Sequence, residues 1–253
     1  MIAQLLIKRF FYWAGYSVKR LRAPRAQRKI AAERQNPALL RRALHATDPY
    51  ANFDPAPFPA DVQGWGGESP AFKALITEVK PALVIEVGTW KGASAITMAE
   101  AARNAGLPTQ VLCIDTWLGA LEFWNDQNDP ERYLSLKLKH GYPSVYYQFL
   151  ANVARRGLQD RITPFPQTSS TAALWLRMQG FGASLIYIDG SHEEEDVYSD
   201  LTDYWELLDS GGVLLGDDYS WAGVRLAANR FAREVGGKIE HLHDKWLVRK
   251  IKA

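Results

Sequence analysis

Two short apolar runs that each end in acid constrain the fold of this chain more than anything else in it. Leu185-Ile186-Tyr187-Ile188 stops at Asp189-Gly190-Ser191-His192, and Val213-Leu214-Leu215 stops at Gly216-Asp217-Asp218-Tyr219. Short apolar runs bounded by Gly and Asp read as buried parallel strands. Between them, residues 193–208 have helical composition, with Val197, Leu201, Tyr204, Trp205 and Leu208 on one helical stripe. Strand, helix, strand is one right-handed βαβ unit. Both strands then deliver their carboxylates to the same sheet edge, where open α/β sheets bind their ligands.

The chain's 253 residues and 47% hydrophobic content allow one α/β domain with an extension. A net charge of +2 conceals an uneven distribution. Within residues 1–46 eleven Lys and Arg face a single acid, Glu33, so the remainder is net acidic. Ile2, Leu5, Leu6, Phe10, Trp13 and Tyr16 fall on a helical period there. This segment reads as an amphipathic helix seeking anionic lipid, or as a helix docked on its own domain or on a second copy in a homodimer. Nucleic acid is not expected as a partner, because no nucleic-acid motif accompanies the basic run. The lone cysteine, Cys113, forbids an internal disulfide and suits a reducing compartment, hence a cytoplasmic protein, with peripheral contact at the inner face of a membrane if the first helix binds lipid. No apolar stretch reaches the roughly 18 to 20 residues of a membrane span. Residues 1–60 are expected to be the basic helical extension and Pro-rich linker, and residues 61–253 the folded domain.

Residues 82–87 read as a buried strand followed by Gly88-Thr89-Trp90-Lys91-Gly92-Ala93-Ser94 and a helix; residues 111–114 form the next strand, ending at Asp115. Gly88 permits a tight turn, and Gly92 lets the backbone approach a ligand where the helix begins. The spacing Glu86-x-Gly88-x-x-x-Gly92 is neither the dinucleotide fingerprint nor a Walker loop. An acid just before the loop is unwelcome beside a pyrophosphate, whereas Asp115 is placed to bind a ribose diol. An adenosine ligand bearing an amino acid and no phosphates answers both, and that ligand is S-adenosyl-L-methionine (SAM).

Asp189, Asp217 and Asp218 would repel one another if all were ionised. Oxygen-only ligands favour a hard cation, Mg²⁺ first, which would orient a substrate hydroxyl and lower its pKa. His192 stands ready to take the hydroxyl proton, or equally to bond the backbone at a helix start. The aromatic-rich insertion of residues 116–144 and the helix after it offer Trp117, His140, Tyr142 and Tyr146 as a substrate wall.

These residues together resemble class I SAM-dependent methyltransferases. The motifs are Val84-Ile85-Glu86-Val87-Gly88-Thr89-Trp90-Lys91-Gly92-Ala93-Ser94, Ile188-Asp189-Gly190-Ser191-His192 and Gly211 to Tyr219. More narrowly they are similar to the metal-dependent O-methyltransferase branch that includes macrocin O-methyltransferase and the cephalosporin hydroxylase-like proteins. The resemblance implies a doubly wound, Rossmann-like, seven-stranded sheet. It puts cofactor contacts on Glu86, Gly88, Thr89, Gly92, Ser94 and Asp115, and a metal triad on Asp189, Asp217 and Asp218. It implies O-methylation; because aromatic walls suit sugar rings and phenols alike, the expected acceptor is a hydroxyl on a sugar, glycan or glycosylated small molecule, with a catechol-like phenol as the alternative. Three rivals stay open: a metal-independent methyltransferase relying on His192, a nucleotide enzyme such as a dehydrogenase, and a non-enzymatic membrane-associated binding protein.

Overall fold

The computed structural model describes residues 35–125 and 130–251. The amphipathic helix expected over residues 2–16 lies outside the described residues, and of the basic extension only the part from residue 35 is described. There a 3-10 turn, Pro37–Leu39, leads into α1 (Leu40–Leu44). After a long irregular stretch come α2 (Pro70–Val79), β1 (Leu83–Val87), α3 (Ala93–Asn104) and β2 (Gln110–Asp115). The insertion holds two short helices, α4 (Leu121–Asn125) and α5 (Pro130–Ser135), before α6 (Val145–Arg155) and β3 (Ile162–Pro166). Then follow α7 (Ser169–Gln179), β4 (Ala183–Ile188), α8 (Glu194–Trp205), β5 (Leu208–Gly216) and α9 (Ala222–Glu234). The hairpin β6 (Glu240–Leu242) and β7 (Lys245–Arg249) closes the chain. Among the described residues no helix is long and apolar enough to cross a membrane.

The seven strands lie in the order β3-β2-β1-β4-β5-β7-β6. β1 to β5 pair in parallel, while β7 runs antiparallel to β5 and β6 antiparallel to β7. The order reverses at β1, so the loops after β1 and β4 diverge to opposite sides of a crevice at the carboxyl edge. This is the doubly wound, seven-stranded sheet that the resemblance implies.

Side chains alternate across the sheet and build a core on each face. Ile85, Ile186 and Leu214 point to the layer of α7, α8 and α9; Val84, Leu185 and Val213 point to that of α2, α3 and α6. The helix boundaries follow local chemistry. Ser69 caps α2, its hydroxyl accepting from the Ala71 amide, and Pro70 occupies the first turn. Thr168 caps α7 in the same way, and Gly180 ends that helix in a left-handed conformation.

The chain before α2 is packed on the domain. Leu40 is buried in the core, and Arg41 donates to the Ile162 carbonyl at 2.8 Å while His45 Nε2 lies 2.7 Å from the Pro164 carbonyl. The Pro-rich stretch expected to be a linker is likewise held: Arg155 Nη2 donates to the Pro55 carbonyl at 2.9 Å, and Phe58 stacks between Phe53 and Tyr147.

Where β1 and β4 end, Gly88 has φ +83° and a Cβ on it would sit 1.9 Å from the Asp189 carbonyl oxygen. The Gly88 amide donates to Ile114 at 2.9 Å and the Asp189 amide to Val87 at 2.8 Å, so neither backbone has room to retreat. Gly88→Ala combines a left-handed φ with a clash against backbone. It should destabilise by at least about 3 kcal/mol, read as a lowered urea midpoint at unchanged slope; a loss below about 1 kcal/mol would show that the two loops can part.

Candidate active site

A cavity of about 660 Å³ opens at the carboxyl edge of the sheet, within the range of small-molecule sites. Its floor is the loop after β1. Gly92, at φ +89°, begins α3, and the loop is organised from below by Glu86. That carboxylate is fully buried. It accepts from Thr89 Oγ1 at 2.9 Å, from the Ser94 hydroxyl, and from Cys113 Sγ at 3.5 Å. Asp115 ties down the loop's outer part: one oxygen accepts the Thr89 and Trp90 amides at 2.9 and 2.8 Å, the other the Trp117 amide at 2.7 Å.

Of the residues expected to bind a cofactor, Gly88, Thr89, Ser94 and Asp115 line this cavity. Glu86 and Gly92 do not. Glu86 lies beneath the loop as its internal anchor, and Gly92 faces Phe149, whose ring would lie 2.9 Å from an added Cβ. Both shape the floor and leave direct contact to their neighbours.

The acids form the opposite wall, and they are divided. Asp189 and Asp218 reach the cavity, with His192 between Glu122 and Asp218: Nδ1 lies 2.6 Å from Glu122 Oε1 and Nε2 2.9 Å from Asp218 Oδ2. The Asp218 hydrogen bond, helped by Glu122, holds the imidazole pKa up to about 9, so His192 is an imidazolium at neutral pH. Burial, reinforced by the Asp217 charge, pushes Asp189 up to about 7. Asp218 itself has φ +53°, a left-handed conformation that Asp tolerates better than most residues.

Asp217 turns away from the cavity. Its Oδ2 meets Lys245 Nζ at 2.5 Å, and its Oδ1 accepts the Asp218 amide at 2.8 Å. Among the described residues no group of three or more His, Cys, Asp or Glu side chains is placed to hold a metal ion. The triad expected to bind Mg²⁺ therefore does not fit that ion in this arrangement. Two of its members already have protein cations as partners, Asp217 with Lys245 and Asp218 with His192.

The expected aromatic wall lies elsewhere too. Trp117 is buried behind the loop, donating from Nε1 to the Trp90 carbonyl at 2.7 Å with Tyr146 edge-on to its ring, while His140 and Tyr142 are exposed outside the cavity. The insertion contributes Glu122, Phe123 and Arg132 instead. The Trp65 ring packs edge-on to Phe123, with the Arg132 guanidinium 5.4 Å above it. Trp221 stacks on His192 at 4.4 Å. Gln167, Thr168 and Ser169, after β3, complete the cavity wall beside the β1 loop. Their place at a strand's carboxyl end was the signal that could have revealed them; nothing in the pattern singles out Glu122 or Trp65.

Glu86 gives the site a pH signature in stability. Burial pushes its carboxyl up to about 7, outweighing the hydrogen bonds from Ser94, Thr89 and Cys113. A carboxyl raised in the folded state binds its proton more tightly there than when unfolded. The resulting stability is complete below the ordinary value of 4.5 and is lost as pH rises to about 7. Between about pH 5 and pH 8 the wild type should lose up to roughly 3 kcal/mol relative to Glu86→Gln. Parallel unfolding curves for the two proteins would remove Glu86 as the source.

The family model described as a methyltransferase domain matches residues 85–219, just over half the chain, from within β1 to the turn after β5. No curated protein matches the chain. Solved structures share its fold at low identity. The O-methyltransferase NovP is 16% identical with a TM-score of 0.53, over 72% of this chain and 78% of that one. CalS11, described as TDP-rhamnose 3′-O-methyltransferase in calicheamicin biosynthesis, is 17% identical with a TM-score of 0.50, over 71% and 77%. TomG from Streptomyces achromogenes, an O-methyltransferase of tomaymycin synthesis solved with SAM, is 15% identical with a TM-score of 0.50, over 96% and 95%. The extent of the domain match, on a sheet wound in this order, shows that the chain belongs to the methyltransferase-domain family.

Proposed function

We propose that this protein is a SAM-dependent O-methyltransferase acting on a hydroxylated small molecule, with a sugar or glycoside as the first choice of acceptor. One observation carries the reading: a single cavity has the β1 loop and Asp115 on one side and Asp189, His192 and Asp218 on the other. The residues on the first side fit the cofactor. A carboxylate at the end of β2 suits a ribose diol and repels a pyrophosphate. The hydroxyls of Thr89 and Ser94 and the polar run Gln167-Thr168-Ser169 supply further hydrogen-bonding groups. TomG was solved with SAM, and CalS11 is described as acting on a sugar nucleotide, which supports both halves of the proposal. The narrower resemblance to the macrocin O-methyltransferase branch points the same way.

When bound, SAM supplies a methyl group on a sulfonium; the acceptor oxygen forms the new C–O bond as the C–S bond breaks, and its electron pair stays on sulfur as a thioether. The protein's own task is to hold the acceptor and receive its proton. Trp65, Phe123 and Trp221 offer flat faces to an acceptor ring, and Arg132 lies beside them. Aromatic faces suit sugars and phenols alike, so a catechol-like phenol is the second reading. The carboxylate of Asp189 receives the hydroxyl proton at the cavity wall, while His192, an imidazolium held between Glu122 and Asp218, fixes the Asp218 carboxylate beside it.

Thermal unfolding against SAM, its demethylated product, NAD and ATP tests the cofactor. SAM or its product at about 100 times its dissociation constant should stabilise by roughly 2.7 kcal/mol, and a shift with NAD or ATP alone would overturn the assignment. Once an acceptor is found by a screen led by hydroxylated sugars, Asp189→Asn should lower methyl transfer by roughly 10²- to 10⁴-fold with SAM binding intact. Equal loss of both would remove Asp189 from the acceptor side.

A further inference from the structure

The acidic edge carries more negative charge than an empty cavity tolerates, and its compensation comes from a residue far away in the chain. β7 runs antiparallel to β5 with Trp246 opposite Gly216, so continuing the ladder by one residue sets Lys245 opposite Asp217. The ammonium of Lys245 lies 2.5 Å from Asp217 Oδ2 and 3.1 Å from Asp244 Oδ2. The other Asp244 oxygen accepts from the Ser69 hydroxyl. The Lys245 side chain is fully buried, over the rings of Phe72 and Tyr187 at 5.5 and 5.8 Å. A buried charge is retained only where it is paired, and this one is paired twice.

Three further features close the arrangement. Gly66 covers the pair, since a Cβ there would lie 2.4 Å from Lys245 Nζ and 2.6 Å from Asp217 Oδ2. Trp246 Nε1 donates to the Asp217 carbonyl at 2.8 Å and holds the backbone of the turn. The Tyr187 hydroxyl lies 2.8 Å from Asp189 Oδ2 and 3.2 Å from Asp217 Oδ2, joining the buried pair to the acid on the cavity wall. On the outer side His192 does for Asp218 what Lys245 does for Asp217.

We propose that Lys245 supplies, as a fixed ammonium, the positive charge that a divalent ion would bring to this edge, so that Asp189, Asp217 and Asp218 work as a metal-free acidic site. Lys245 is then a positioning residue, acting through Asp217 and Tyr187 on Asp189. An ammonium of this kind has no open coordination position and cannot chelate an acceptor. The acceptor is held by hydrogen bonds to Asp189, Asp218 and His192, for which one isolated hydroxyl suffices where chelation would demand a vicinal pair. This consequence for the acceptor rests on the proposed function; the charge substitution does not.

The test is titration of the full chain with Mn²⁺, read by water-proton relaxation, for the wild type, Lys245→Met and Lys245→Met with Asp217→Asn. The wild type should show no saturable Mn²⁺ uptake at millimolar concentration. Lys245→Met, which frees Asp217, should take up one ion per chain, and adding Asp217→Asn should abolish it. One Mn²⁺ per wild-type chain, lost in Asp217→Asn alone, would overturn the proposal. So would a folded Lys245→Met protein that takes up none. The wild-type titration decides by itself should Lys245→Met fail to fold. A SAM-induced thermal shift measured on the same samples separates the two readings. A shift together with wild-type Mn²⁺ uptake overturns only the charge substitution, and no shift overturns the cofactor assignment whatever the metal does.

Discussion

The carboxyl ends of β1 and β4 meet at Gly88 and Asp189 with no space for a single carbon atom between them, and both sides of the site depend on that contact. The left-handed Gly88 turns the β1 loop toward α3 and Asp115. Asp189, pressed against it, carries the β4 loop the other way toward His192 and the acids. Because interiors pack too densely to let either backbone give way, the distance between the two walls is set by the sheet itself. The β1 loop and the acidic wall are therefore placed by the same constraint.

The strands and helices were readable because their determinants are local. Apolar runs of β-branched residues marked β1, β2, β4 and the end of β5. Ser69-Pro70 marked the start of α2, and residues 169–179 form α7 as their composition predicts. The last run of the chain alternates, and it forms the β6–β7 hairpin. The start of β5 was less readable: Asp209, Ser210 and two glycines belong to the strand, and its lack of apolar residues there hides it.

The site divides along the same line. Gly88, Thr89, Ser94, Asp115, Asp189, His192 and Asp218 reach the cavity because each lies at a strand's carboxyl end or in the loop and first helical turn that follow it. Residues whose roles depend on contacts across the fold were not readable. Glu86, two positions before the first glycine, points to the layer of α2, α3 and α6, as the alternation of β1 requires, and becomes the loop's anchor. Trp117 looks like a pocket aromatic in sequence, yet its ring turns inward beneath Trp90. Lys245 is separated from Asp217 by 28 residues and meets it only because the final strand reverses direction. Periodicity carries no sign of such a pair, so three neighbouring acids read as a metal site.

The short helix α1 bears on what this sheet can do in company. β3 is an edge strand, and an edge is a template on which another chain can add a strand. Here Pro164 and Pro166 have no N–H to offer, and the carbonyls of Ile162 and Pro164 are already engaged by Arg41 and His45. At the opposite edge β6 is three residues long. Neither border leaves a row of free backbone groups, and α1 thereby serves as a guard against aggregation at the β3 border.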